Sequence, residues 1–162
     1  VVWQASADQT AASVATIVGL ISICNAVGRV LFGGMYDKYG RSLSMQLGNG
    51  LFILTSAVLL LAMSRGSVAV VILGFVLGGL AYSGVTPTNS AFCRAYFGPG
   101  HYPVNFPLIN TNLIFASFGS TVSGALYDAG GSYNSTFLLI IGLAAVGIVC
   151  SLAISAIDKK GN

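Results

Sequence analysis

Five residues, Asp37-Lys38-Tyr39-Gly40-Arg41, form a charged cluster between two long apolar runs. Each run is close to the ~20 helical residues that a bilayer core requires. A chain built from runs of this length with short turns between them folds as a bundle of membrane helices. The rest of the sequence obeys the same rule. Only 7% of residues are charged and 55% are hydrophobic, with mean hydropathy +0.84. Soluble domains carry about 25% charged residues, so the chain reads as an all-α integral membrane protein. Seven Lys and Arg against four acids are too few and too scattered for a nucleic-acid surface.

Residues 1–10 are polar and read as a loop. Five apolar spans follow, near 11–32, 42–63, 67–86, 105–126 and 133–157, as one transmembrane domain over residues 1–162. The connections are short except for 87–104, which holds three prolines, Arg94 and His101. That segment reads as a helix end, a short interfacial helix and a turn at Gly98-Pro99-Gly100. Cys24, Cys93 and Cys150 are far apart, with no Cys-x-x-Cys pattern, so neither a disulfide nor a metal site is expected. No Ser-His-Asp, phosphate-loop or paired-carboxylate pattern stands out. No catalytic residue and no cofactor is assigned, and an enzyme is not expected.

The turn itself carries a motif. Gly33, Asp37, Lys38, Gly40 and Arg41 fit the spacing G-x-x-x-D-[RK]-x-G-R. This resembles the cytoplasmic signature loop of the major facilitator superfamily. Gly33 would let the helix end approach a neighbour and Gly40 would permit a tight turn. Asp37 could accept hydrogen bonds from backbone donors or a helix N-terminus. Lys38 and Arg41 suit the positive-inside bias. The cations support one orientation. Lys38, Arg41, Arg94, Lys159 and Lys160 would be cytoplasmic, leaving Arg65, Asp8 and Asp128 outside. The N-terminus would then lie outside and the C-terminus in the cytoplasm, in a cell membrane. The resemblance places the five spans as helices eight to twelve of twelve, a partial C-terminal six-helix half.

The run Asn25 to Gly34, with N-x-x-G-R followed by an apolar residue, an aromatic and two glycines, is similar to the oxalate:formate antiporter family. So are Tyr96-Phe97-Gly98, Asn105-Phe106, and Ala116, Phe118 and Gly119. Related monocarboxylate carriers have an acid where Asn25 stands. This likeness implies transport of a small organic anion whose carboxylate meets Arg29. Oxalate carriers have a lysine in the span matching 105–126. Here that span has no cation, which favours a monocarboxylate such as formate, lactate or pyruvate.

Arg29 is the clear intramembrane charge, and such a residue usually faces a cavity or a partner. Ser22, Asn25 and Arg29 are spaced three and four apart on one helix face. Arg29 could hold a carboxylate with two hydrogen bonds. It could equally snorkel to the headgroups, because the expected helix exit at Gly33-Gly34 is only about 6–8 Å away. Asn110, Ser117, Thr121 and Gly124 form a polar stripe on the fourth span, flanked by Ser120 and Ser123. Asn110 and Ser117 are cavity candidates, whereas Ser120, Ser123 and Gly124 read as helix–helix contacts. Gly74, Gly78 and Gly79 read as a packing surface. Tyr82 could offer its hydroxyl to a substrate. His101 titrates in the range useful for proton coupling, but its place in a loop reads as a solvated surface histidine.

The expected activity is carriage of a small monocarboxylate by alternating access, within a longer carrier that supplies further N-terminal helices. Its partners are the lipid bilayer, the anion and a coupling proton or counter-anion, with no nucleic acid. Two other readings stand. One is a carrier of a sugar or drug, and the other is a transport-inactive remnant or accessory subunit.

Overall fold

The computed structural model describes the backbone of residues 2–160 and side chains within 14–157. Its elements are α1 (Val2–Arg65), α2 (Val68–Ser83), α3 (Val85–Ile109), α4 (Asn112–Ser117), α5 (Gly119–Gly130) and α6 (Asn134–Lys160). The protein is all-α, as its sequence requires. The loop expected over residues 1–10 is instead helical from Val2. That stretch has no Gly or Pro, and its alanines and glutamines are good helix formers.

Among the described residues, three helical runs are long and apolar enough to cross a membrane: Val14–Arg65, Val68–Gly130 and Asn134–Ile157. The first two have 52 and 63 residues, far beyond the ~20 of one crossing. Each contains a glycine that redirects it. Gly40 has φ 79° and ψ −179°, a region almost closed to residues with a side chain. Gly98 has φ 70° and ψ 168°. Pro99 comes next, opening a new helical segment where a missing N–H and a fixed φ are no handicap.

Two expectations are corrected here. The helix does not end at Gly33-Gly34 but continues through both to Tyr39. An interior glycine costs a helix only about 0.5–1 kcal/mol, which its neighbours absorb. The second concerns 87–104, which is helical throughout except at Gly98. α2 and α3 are almost continuous, because Gly84 keeps right-handed geometry and the Thr88 amide donates to its carbonyl at 3.1 Å.

Gly40 divides α1 into a first limb, 2–39, and a second limb, 41–65. Glycines show how these limbs pack. Gly79 lies against Ile21, Gly28 against Ser83, and Gly84 against Phe32. These pairings advance in the same sense along both segments, so the first limb and α2 run parallel. Gly78 meets Thr55 and Gly74 meets Leu59, so the second limb and α2 are antiparallel. Gly147 lies on Asn49, and the Ser155 and Ser42 hydroxyl oxygens are 3.0 Å apart. With the Ser155 proton given to its own helix, the Ser42 hydroxyl is the donor in that pair, and these contacts set α6 antiparallel to the second limb.

The core these contacts make is one of small residues. Its largest fully buried side chains are Cys93, Ser44, Ser56 and Ser83; Phe32 and Leu59 are buried beside them, while many other leucines, valines and phenylalanines are exposed. That is the arrangement for a lipid solvent, in which close backbone approach, rather than escape from water, holds helices together. The packing role expected of Gly74, Gly78 and Gly79 matches these contacts.

Candidate functional site

Arg29 sits on the first limb beside the stripe that packs on α2. Ile21, Asn25, Gly28 and Phe32 recur at intervals of four, three and four. That stripe faces Gly79, Ser83 and Gly84. Arg29 and Ser22 project from its edge and are exposed, whereas Asn25 is half-buried. The Asn25 Oδ1 is buried and has no hydrogen-bond partner. Ser22 donates its hydroxyl to the Val18 carbonyl at 2.9 Å, which leaves an oxygen lone pair but no proton for a ligand.

Continuation of the helix to Tyr39 changes the position of Arg29. Eleven residues separate it from the break at Gly40, about 16 Å of helix rise. The expected 6–8 Å to a helix exit at Gly33-Gly34 therefore does not hold. Arg29 has a guanidinium on an exposed face, deep within an apolar limb, with no ion pair or hydrogen bond among the described residues.

The other candidates are more dispersed. Tyr82 is 49% exposed. Asn110 is half-buried and caps the C-terminus of α3, its backbone N–H reaching the Leu108 and Phe106 carbonyls. Ser117 is exposed and donates its hydroxyl to the Leu113 carbonyl at 2.8 Å. Among the described residues, no hydrogen bond joins any two of the six candidates Ser22, Asn25, Arg29, Tyr82, Asn110 and Ser117. The polar stripe also runs along a bent path, because the helix is interrupted at Asn110-Thr111 and at Phe118. Ser123 makes the contact expected of helix glue, its hydroxyl lying 3.4 Å from that of Thr136. Gly124 does not, since nothing approaches it within 4 Å.

The signature turn is held differently from expectation. Gly33 faces open space, so no close neighbour explains it. Asp37 is exposed and shares an open groove of ≈ 510 Å³ with Gly33, Tyr36 and Arg94. It makes no hydrogen bond to a backbone donor or helix N-terminus among the described residues. Arg41 instead ties the turn to α3, its guanidinium carbon 5.5 Å from the centre of the Tyr96 ring. The Lys38 ammonium lies 5.2 Å from the Tyr39 ring centre. Both are within the ~6 Å range of cation–π attraction. His101, expected in a loop, is exposed on the helical segment that Pro99 opens.

Sequence reasoning missed a cavity of ≈ 300 Å³ between the two limbs, the α2–α3 junction and α6. Asn49, Asn89 and Ser151 are among its polar wall residues. A signal was present: Ser42, Gln46 and Asn49 are spaced four and three apart, a polar face within an otherwise apolar span.

The profile of the Major Facilitator Superfamily matches residues 2–162. The chain is also similar to the uncharacterized MFS-type transporter YvkA of Bacillus subtilis (strain 168), with 31% identity over 137 residues. That alignment covers 84% of this chain and 29% of the relative, so the chain spans less than a third of that protein's length. No solved structure matches it.

Proposed function

Because this chain belongs to the major facilitator superfamily, we propose that it is the part of a longer twelve-helix carrier that binds a small monocarboxylate through Arg29. In this reading its segments act as five transmembrane helices of the C-terminal half. Alternating access comes from rocking against a second half, with the substrate near the midplane between them. A coupling proton or counter-anion moves with the cycle.

The observation that carries this reading is the charge of Arg29, unpaired among the described residues, within an apolar helical run. Its guanidinium lies about 12 Å of helix rise from Asp37, where the charged turn begins, farther from headgroups than the expected exit at Gly33-Gly34 would put it. Insertion of an arginine at a helix centre costs about 2.5–3.5 kcal/mol, so a ligand or partner that meets its charge is expected. A carboxylate can take two parallel hydrogen bonds from it, with the buried, unpartnered Asn25 Oδ1 one helical turn away to steady the guanidinium. The absence of a cation from 105–126 supports one carboxylate rather than two. Tyr82, Asn110 and Ser117 belong to the same proposed path as secondary contacts.

Uptake of labelled formate, lactate and pyruvate by cells expressing the longer carrier tests the substrate class. Accumulation of at least one, competed by the others, is expected; uptake of a sugar or a drug instead would contradict it. The orientation follows from the cations, with Lys38 cytoplasmic and Arg65 external. Single cysteines at these positions, in a background without Cys24, Cys93 and Cys150, can be probed with an impermeant thiol reagent in intact cells. Labelling at 65 with protection at 38 is expected, and the reverse pattern inverts the topology.

A further inference from the structure

We propose that the cavity between the two limbs, the α2–α3 junction and α6 is a binding site for a small uncharged amphiphile with an amide or hydroxyl head group. It is separate from the Arg29 site, whose residues do not line it. Its volume, ≈ 300 Å³, is at the lower end of the roughly 300–1,000 Å³ typical of small-molecule sites.

The polar groups in its wall define the ligand. Ser151 is only 5% exposed, and its hydroxyl oxygen is buried without a hydrogen-bond partner. Other serines avoid that state by donating to their own helix. Ser44 reaches the Gly40 carbonyl at 3.0 Å, Ser155 the Ser151 carbonyl at 2.9 Å, and Ser83 the Leu80 carbonyl at 2.5 Å. The Ser151 hydroxyl therefore remains available as both donor and acceptor. Asn49 and Asn89 add two amides with no hydrogen bond inside the protein among the described residues. The Asn49 amide lies against Gly147, where a Cβ would come within 3.0 Å of both its terminal atoms. Among the described residues, no Asp, Glu, Lys, Arg or His lines the cavity. A charged ligand would lose its hydration without a counter-charge. A neutral head group with both donor and acceptor satisfies all three side chains, and Phe32 and Phe52 in the wall accommodate an apolar tail.

Cys150 lines the same cavity and is exposed, which makes it a reporter. Cys93 is fully buried, and Cys24 can be removed as Cys24→Ser. The experiment follows alkylation of Cys150 by N-ethylmaleimide with the whole chain in lipid nanodiscs, against octanamide, 1-octanol, octanoate and octylammonium. Octanamide and 1-octanol at about ten times their half-protecting concentration should slow alkylation about tenfold, by simple occupancy. Octanoate and octylammonium should protect far less. Ser151→Ala should raise the half-protecting concentration of octanamide about fivefold, the worth of one neutral hydrogen bond. Thr55→Val is the control, since Thr55 Oγ1 is also buried without a partner but lies outside the cavity; it should leave protection unchanged. Equal protection by all four compounds, protection by none, or equal shifts in Ser151→Ala and Thr55→Val would each overturn the proposal.

Discussion

Residues 21–97 with α6 and residues 99–130 are equally helical, yet they relate to the rest of the molecule in opposite ways. The first group closes on itself through small side chains: Gly28 on Ser83, Gly84 on Phe32, Gly147 on Asn49. The second is exposed at every position from 111 to 122. It touches the rest toward its two ends, through the Ser90–Tyr102 hydroxyl contact at 2.9 Å, the Ser123–Thr136 hydroxyl pair at 3.4 Å and the Tyr127–Tyr133 ring pair with centroids 4.6 Å apart. The difference is one of composition along a face. The packed segments present glycine and serine where another backbone arrives. The exposed segment presents Ser117 and Thr121 beside Phe115 and Phe118, which suits a wall facing water or further protein rather than lipid alone. A superfamily carrier has a second set of helices to face that wall.

The largest effect that could break this comparison is transport by the chain itself. If 99–130 needs a second half opposite it, the 162-residue chain in liposomes should take up no labelled formate, lactate or pyruvate above protein-free vesicles. Uptake would show that these helices alone enclose a path.

A smaller effect sharpens the contrast between the regions. A Cβ at Gly84 would lie 2.7 Å from the Phe32 ring atoms Cδ1 and Cγ, so Gly84→Leu overpacks the junction of the first limb and α2. Overpacking of this kind costs about 1–3 kcal/mol. Ser117→Leu should alter the stability of the isolated chain by no more than about 0.5 kcal/mol, as for other exposed substitutions. Thermal unfolding in detergent distinguishes them, and equal destabilisation by both would mean that 99–130 is packed after all.

Much of this architecture was legible in the sequence because membrane helices announce themselves by length. The apolar runs near 42–63 and 133–157 became helices with ends close to those expected. The turn at Gly40 was legible too, since its neighbours are charged and its backbone needs a conformation that glycine tolerates. What could not be read was that Gly33 and Gly34 stay inside the helix. Gly33, Gly34, Gly98 and Gly100 look alike in one dimension, and only the tertiary path shows that Gly40 and Gly98 take positive φ. The α2–α3 continuity was hidden for a related reason: Pro87 resembles a helix stop but falls in the first turn of α3, where its missing N–H is tolerated. At the site, periodicity suggested one face for Ser22, Asn25 and Arg29. It could not show that Asn25 turns partly under the α2 contact while Arg29 stays exposed. The cavity at Ser151 depends on segments more than a hundred residues apart, beyond the reach of local spacing.

The central claim is that Arg29 grips a carboxylate rather than anchoring a helix end. Arg29→Lys in the longer carrier tests it, with surface expression measured alongside uptake of the preferred monocarboxylate. Lysine keeps the charge but lacks the planar fork that matches a carboxylate, and breaking one partner of a desolvated pair costs about 2–5 kcal/mol. Substrate affinity should therefore fall by well over tenfold at normal surface expression. Near-normal affinity in Arg29→Lys at normal expression would contradict the account and make Arg29 a structural anchor, because a lysine snorkels as well as an arginine.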